Sequence, residues 1–126
     1  MKEIYLISRW TIAIIFIYHG LVPKLLYGHH QEILMNDTLI PFLSEQLALK
    51  LSGVLEIVYG ALILVWYHSK KVLVPAIAFS IMVSLALLFV LPELYQNAFN
   101  PFSINLSLLV LCVINVMSNG KNRSIW

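Results

Sequence analysis

The stretch Leu47–Tyr67, LALKLSGVLEIVYGALILVWY, is apolar over a length that crosses a bilayer, and it carries an acid, Glu56, close to its middle. Nine positions separate Leu47 from Glu56 and eleven separate Glu56 from Tyr67. At a rise of ~1.5 Å per residue, the carboxyl lies ~14 Å and ~17 Å from the two ends. An acid at that depth costs a few kcal/mol on insertion scales, so it turns inward, finds a partner or takes a proton. Its own helical face carries Ser52, Gly53, Tyr59 and Gly60, three or four positions away, and small residues at that spacing let a second helix approach closely. Glu56 is therefore expected to face protein. Two roles stand open for it, a pairing residue that fixes the helices or a group that binds a ligand or handles a proton.

Working outward, the composition agrees with a membrane protein. Of 126 residues, 60% are hydrophobic and 11% charged, with a mean hydropathy of +0.87, against about 25% charged in a soluble domain. One domain, residues 1–126, is expected. A net charge of +2, with its bases at the membrane edges and in no dense patch, argues against nucleic acid. Cys112 is the one cysteine, so the protein alone builds neither an internal disulfide nor a dithiol centre.

Four apolar segments are expected as spanning helices, at about 4–22, 47–67, 72–91 and 101–118. The first is read as a helix rather than a cleaved leader, because Arg9 interrupts it and no small-x-small site follows. Pro23–Gln46 reads as a long connection at the interface or re-entering the membrane, with Asn36-Asp37-Thr38 able to cap a short helical turn and Pro41 able to break it. Ala76, Ser80 and Ser84 fall four apart on the third helix, a close-packing seam. Tyr95 and Phe99 suit interfacial anchors, and Pro101 suits the first turn of the fourth helix. Asn105 and Asn115 on that helix read first as partners in interhelical hydrogen bonds. Six bases (Lys2, Arg9, Lys70, Lys71, Lys121, Arg123) fall on one side and two (Lys24, Lys50) on the other, which places both termini in the cytoplasm and the protein in the cytoplasmic membrane.

Counting depth from Ile4 and Tyr67 puts Arg9 ~8 Å, Glu56 ~17 Å and His19 ~22 Å from the cytoplasmic end. Arg9 shares a stripe with Ala13, Phe16, Gly20 and Lys24, whereas His19 points about 80° away from Arg9. The expected polar pocket therefore comprises Arg9, His19, Lys24, Glu56, Tyr59 and Asn105, with Arg9 paired to Glu56 and His19 and Lys24 at the outward mouth. No metal site is expected: His29-His30-x-Glu32 is local and has no Cys/His framework around it. No phosphate loop or nucleophile elbow is present.

Tyr18-His19-Gly20-Leu21-Val22-Pro23-Lys24-Leu25-Leu26 with Arg9 upstream, Gly53-x-x-Glu56-x-x-x-Gly60, and Asn100-Pro101 opening the last helix resemble the DoxX-like family of small membrane proteins. The resemblance spans nearly the whole sequence and implies an all-α bundle of four transmembrane helices. Arg9, Lys24 and Glu56 match the family's recurrent polar positions. The founding member is named as a small subunit of a thiosulfate:quinone oxidoreductase, and relatives are linked to membrane responses to oxidative and thiol stress. The role so implied is an accessory subunit of a redox or stress-related membrane assembly, with a membrane or soluble protein partner or a second copy of itself. The alternatives are a module that binds or moves a small hydrophobic or quinone-like molecule, and a structural or assembly factor. No cofactor is evident from the residues, and a quinone is the class left open.

Overall fold

The computed structural model describes residues 2–98 and 100–120. The expected anchor Phe99 and the bases Lys121 and Arg123 lie outside them. The described part is all-α: α1 (Lys2–His19) runs on as a π-helical turn (Gly20–Leu26), followed by α2 (His30–Leu39), α3 (Glu45–Val65), a 3₁₀ turn (Lys70–Leu73) leading into α4 (Val74–Val90), a 3₁₀ turn (Pro92–Gln96) and α5 (Pro101–Gly120). Among the described residues, four segments are long and apolar enough to cross a membrane: Lys2–Leu26, Glu45–Val65, Lys70–Val90 and Pro101–Ser118. Their outward faces carry Leu55, Val58, Val65, Met82, Leu85, Phe89 and Val110, all about half or more exposed. Apolar side chains exposed in such numbers are at equilibrium only against lipid.

The largest departure from expectation is the end of the first span, which reaches Leu26 rather than stopping near Val22. Pro23 has no N–H to give an α-helical ladder, and its ring crowds the preceding turn. The backbone accommodates it by widening: the Tyr27 N–H bonds the Val22 carbonyl five residues back at 3.1 Å, and the His29 N–H bonds the Pro23 carbonyl at 2.7 Å. Such wide turns relieve a local misfit without ending the helix, and they often mark functional positions. Gly28, at φ +56°, then reverses the path in the left-handed region that glycine enters without strain.

The connection before α3 is therefore shorter than the 24 residues expected, and half of it is helix. α2 begins after His29, whose ring nitrogen accepts from the Gln31 N–H at 3.4 Å, so Asn36-Asp37-Thr38 lie inside the helix instead of capping it. Asn36 and Thr38 turn their side chains back on the Glu32 and Leu34 carbonyls, both at 2.7 Å, the competing bond these residue types make when carried mid-helix. Ten residues give α2 a length of ~15 Å, half of what a crossing needs.

The fold divides into two compact units, residues 13–61 and residues 1–12 with 62–126. In the first, the second half of α1 and its π-turn run antiparallel to α3 at glycine contact. A Cβ on Gly20 would strike the Gly53 carbonyl oxygen, and one on Gly60 would come within 2.8 Å of the Ala13 carbonyl oxygen. Phe16 meets Tyr59 edge to face with ring centroids 4.8 Å apart. The small residues anticipated around Glu56 thus let backbone meet backbone.

In the second unit, α4 packs on α5. Ala76 and Ser80 of the expected seam are buried with Leu87, while Ser84 is half-buried and its carbonyl accepts from the Tyr95 hydroxyl. Tyr95, expected as an interfacial anchor, thereby ties the 3₁₀ turn to α4. α5 starts as its sequence suggests: Pro101 occupies the first turn, where no N–H is missed, and the Asn100 side chain accepts from the Ser103 N–H at 2.9 Å.

Candidate functional site

Unit 13–61 contains a charged cluster at the π-turn. Lys24 lies on that turn with 8% of its side chain exposed, and its ammonium donates to Glu56 Oε1 at 2.5 Å. Glu32, in the first turn of α2, brings Oε2 to 3.5 Å from the same ammonium. Glu56 Oε2 is buried and has no hydrogen-bond partner among the described residues. Two carboxylates thus share one cation, and one carboxylate oxygen stands without a donor. His19, half-buried with its ring edge-on to Tyr18, lies within electrostatic range of both Lys24 and Glu32. Tyr59, on the Glu56 face of α3, packs its ring on Phe16.

The pairing of Glu56 with Arg9 is corrected here: Glu56 takes Lys24. The physical reason is the direction in which side chains leave a helix. Every Cα–Cβ bond tilts toward its own helix N-terminus. In an antiparallel pair, Lys24 therefore reaches back along α1 while Glu56 reaches back along α3, and the two converge. Their Cα atoms lie four and three residues beyond the Gly20–Gly53 contact in opposite directions, ~10 Å of axial offset that a long lysine and a glutamate can span. The two Gly motifs carried this signal, since each names a crossing point and the charged residue that follows it.

Arg9 belongs to the other unit and does different work. It is 1% exposed, with Nε donating to the Ile63 carbonyl at 3.1 Å, Nη2 to the Trp66 and Ser69 carbonyls at 2.7 Å each, and Nη1 to Asn115 Oδ1 at 3.2 Å. The Ile63 carbonyl belongs to the last turn of α3, which a helix end leaves without intrahelical donors, and those of Trp66 and Ser69 to the link after it, where the Ser69 N–H also bonds the Trp66 carbonyl. The guanidinium thus caps the C-terminal end of α3, and its charge complements the negative end of the helix dipole. Asn115 in turn donates to the Tyr5 carbonyl at 2.8 Å and to Ser8 Oγ at 2.9 Å, the interhelical role expected of it. The Tyr5 hydroxyl donates to the Tyr67 carbonyl. Snorkelling to headgroups is excluded for an arginine buried to this degree. A cavity of about 230 Å³ lies beside it, lined by Leu6, Arg9, Trp10, Leu64 and Tyr67.

Of the six expected pocket residues, His19, Lys24, Glu56 and Tyr59 fall in unit 13–61, and Arg9 and Asn105 in the other. Asn105 is half-buried on α5. Glu32 is the member that sequence reasoning missed. In the sequence it reads as part of a connection and of a local His/Glu motif, and nothing in its spacing reveals that the Gly28 turn folds α2 back onto Lys24.

An all-α protein with four bilayer-length apolar helices and charges gathered inside its spans is an integral membrane protein. The family model for the DoxX-like family matches residues 13–113, 101 of the 126 residues, and the chain belongs to that family. No curated protein and no solved structure matches it.

Proposed function

We propose that this DoxX-like protein is an accessory membrane subunit of a redox or stress-related assembly, and that the Lys24–Glu56–Glu32 cluster is its binding seat for a small amphipathic, quinone-like molecule. The observation that carries this reading is Glu56 Oε2, a buried carboxylate oxygen without a partner whose twin is held at 2.5 Å by Lys24. A buried polar atom left unpaired costs about 1 to 3 kcal/mol, so a site that keeps one is arranged for something else to meet it. Intramembrane ionisable groups carry function by default, and the π-turn that presents Lys24 is a feature of such sites. The accessory role follows from Cys112, buried and single, which leaves the protein without the dithiol a stand-alone thiol oxidoreductase needs.

The test is mass spectrometry of small molecules and partner proteins that leave native membranes with the wild-type protein and with Glu56→Leu. Lys24 and Glu32 remain a neutral pair in that variant, so it folds. Wild type is expected to carry an amphipathic molecule that Glu56→Leu has lost; equal retention by the two proteins overturns the seat.

The six-to-two distribution of bases supports an orientation in the cytoplasmic membrane with both termini inside. Ser69→Cys should then be labelled from the cytoplasmic side and Asp37→Cys from outside. The reverse pattern refutes the orientation.

A further inference from the structure

The charges of the cluster do not balance. Lys24 contributes +1 and Glu56 and Glu32 contribute −1 each, so the formal sum of the three is −1. Glu32 lies outside the spans, whereas Glu56 is eleven residues into the 21-residue α3, so of the two carboxyls it is the one placed near the middle of a span. An unbalanced charge in that medium costs several kcal/mol, more than an unpaired neutral hydroxyl.

From this geometry we infer that the seat holds a proton in its resting state, on Glu56 Oε2, and that this proton makes the seat a hydrogen-bond donor toward a carbonyl oxygen of its occupant. The inference deepens the proposed function and rests on the same cluster, but not on the identity of any ligand. Three observations converge on that oxygen. Oε1 is committed to the Lys24 ammonium, and the carbonyl oxygen of a neutral acid can accept that hydrogen bond too. Glu32 Oε2 lies 3.5 Å from the same ammonium, so a second carboxyl shares that one cation. Oε2 has no donor of its own, so a proton there displaces no existing bond. The proton comes from water and returns to it, with no electron transferred. The charged groups beside Glu56 within the unit are Lys24 from the π-turn and Glu32 from α2; His19 of α1 is within electrostatic range of those two, and Tyr59, on the same helix as Glu56, packs its ring on Phe16.

The consequence for specificity is a change of sign. An ionised Glu56 offers an acceptor and selects hydroxyl or ammonium donors. A protonated one offers O–H, and a carbonyl such as that of a quinone is the matching group. Glu56→Gln preserves this pattern, with the amide oxygen on Lys24 and the amide N–H₂ in place of the O–H.

Infrared difference spectroscopy of the protein in lipid at neutral pH reads the proton directly, because a carboxylic acid C=O stretch is separate from carboxylate bands. Wild type should show one such band. Glu56→Gln should abolish it, and Glu32→Gln should abolish it too, since Lys24 and Glu56 then balance as an ion pair. Lys24→Met should strengthen it, because both carboxyls then need protons. Glu56→Gln should bind a water-soluble quinone with a short isoprenoid tail within about threefold of wild type, whereas Glu56→Leu should not bind it. A wild-type spectrum without the band, or a band that survives both glutamine variants, overturns the inference. If Glu56→Leu loses its occupant while wild type lacks the band, the seat stands and the proton does not. If the band behaves as described and the occupant is the same in wild type and Glu56→Leu, the proton stands and the seat falls.

Discussion

Arg9→Met is expected to lower the stability of the protein in detergent by more than about 3 kcal/mol. The change leaves the Ile63 and Ser69 carbonyls and the Asn115 amide oxygen without the donor they now share, while the Trp66 carbonyl keeps the Ser69 N–H. Each buried acceptor left unpaired costs about 1 to 3 kcal/mol, and removal of a charge-assisted donor lies at the upper end. Arg9→Lys keeps the charge but replaces a planar fork by a point ammonium on a shorter reach, so it should recover only part of the loss. Unfolding midpoints in a graded denaturing detergent rank the three proteins. Equal midpoints for wild type and Arg9→Met would remove the capping role.

Lys24→Met should cost about 3 to 5 kcal/mol, the usual consequence of taking one partner out of a buried ion pair. The loss arises because Glu32 then loses its counter-charge and Glu56 Oε1 loses its donor. Adding Glu56→Leu in the Lys24→Met background removes a contact that is already broken, so the double substitution should cost less than the sum of the single ones. Denaturant titration of all four members of this cycle measures the coupling, and strict additivity would show that the 2.5 Å contact contributes nothing.

The four spans were legible because length and hydropathy alone distinguish them, and the start of α5 because Asn100-Pro101 states both a cap and a first turn. The π-turn was not, since a proline after a long helical run ordinarily ends a helix and only the surrounding packing can hold the widened backbone. The partner of Glu56 was misassigned for a related reason. Depth counting places Cα atoms along a normal, but an ion pair forms between side-chain tips. With Arg9 leaning toward its own N-terminus and Glu56 leaning toward the start of α3, equal or adjacent depth did not mean contact. Glu32 could not be placed without knowing the path through Gly28. The acid itself was legible as a residue in need of a partner, because its distance from both ends of the span is a property of the sequence.

The cap that Arg9 supplies to α3 also bears on which membranes suit the protein. α3 has 21 residues and a length of ~32 Å, close to the thickness of a bilayer's hydrocarbon core. An ordinary helix of that length must bring its terminal carbonyls to water or headgroups, so a thicker bilayer would have to thin around it. Here the Ile63 carbonyl and, just beyond the helix, those of Trp66 and Ser69 find a donor inside the protein, on a side chain that is itself 1% exposed. The end of α3 can therefore lie below the water line with these carbonyls satisfied. Hydrophobic mismatch at that end is relieved by a side chain, and the bilayer need not deform to supply the missing hydrogen bonds.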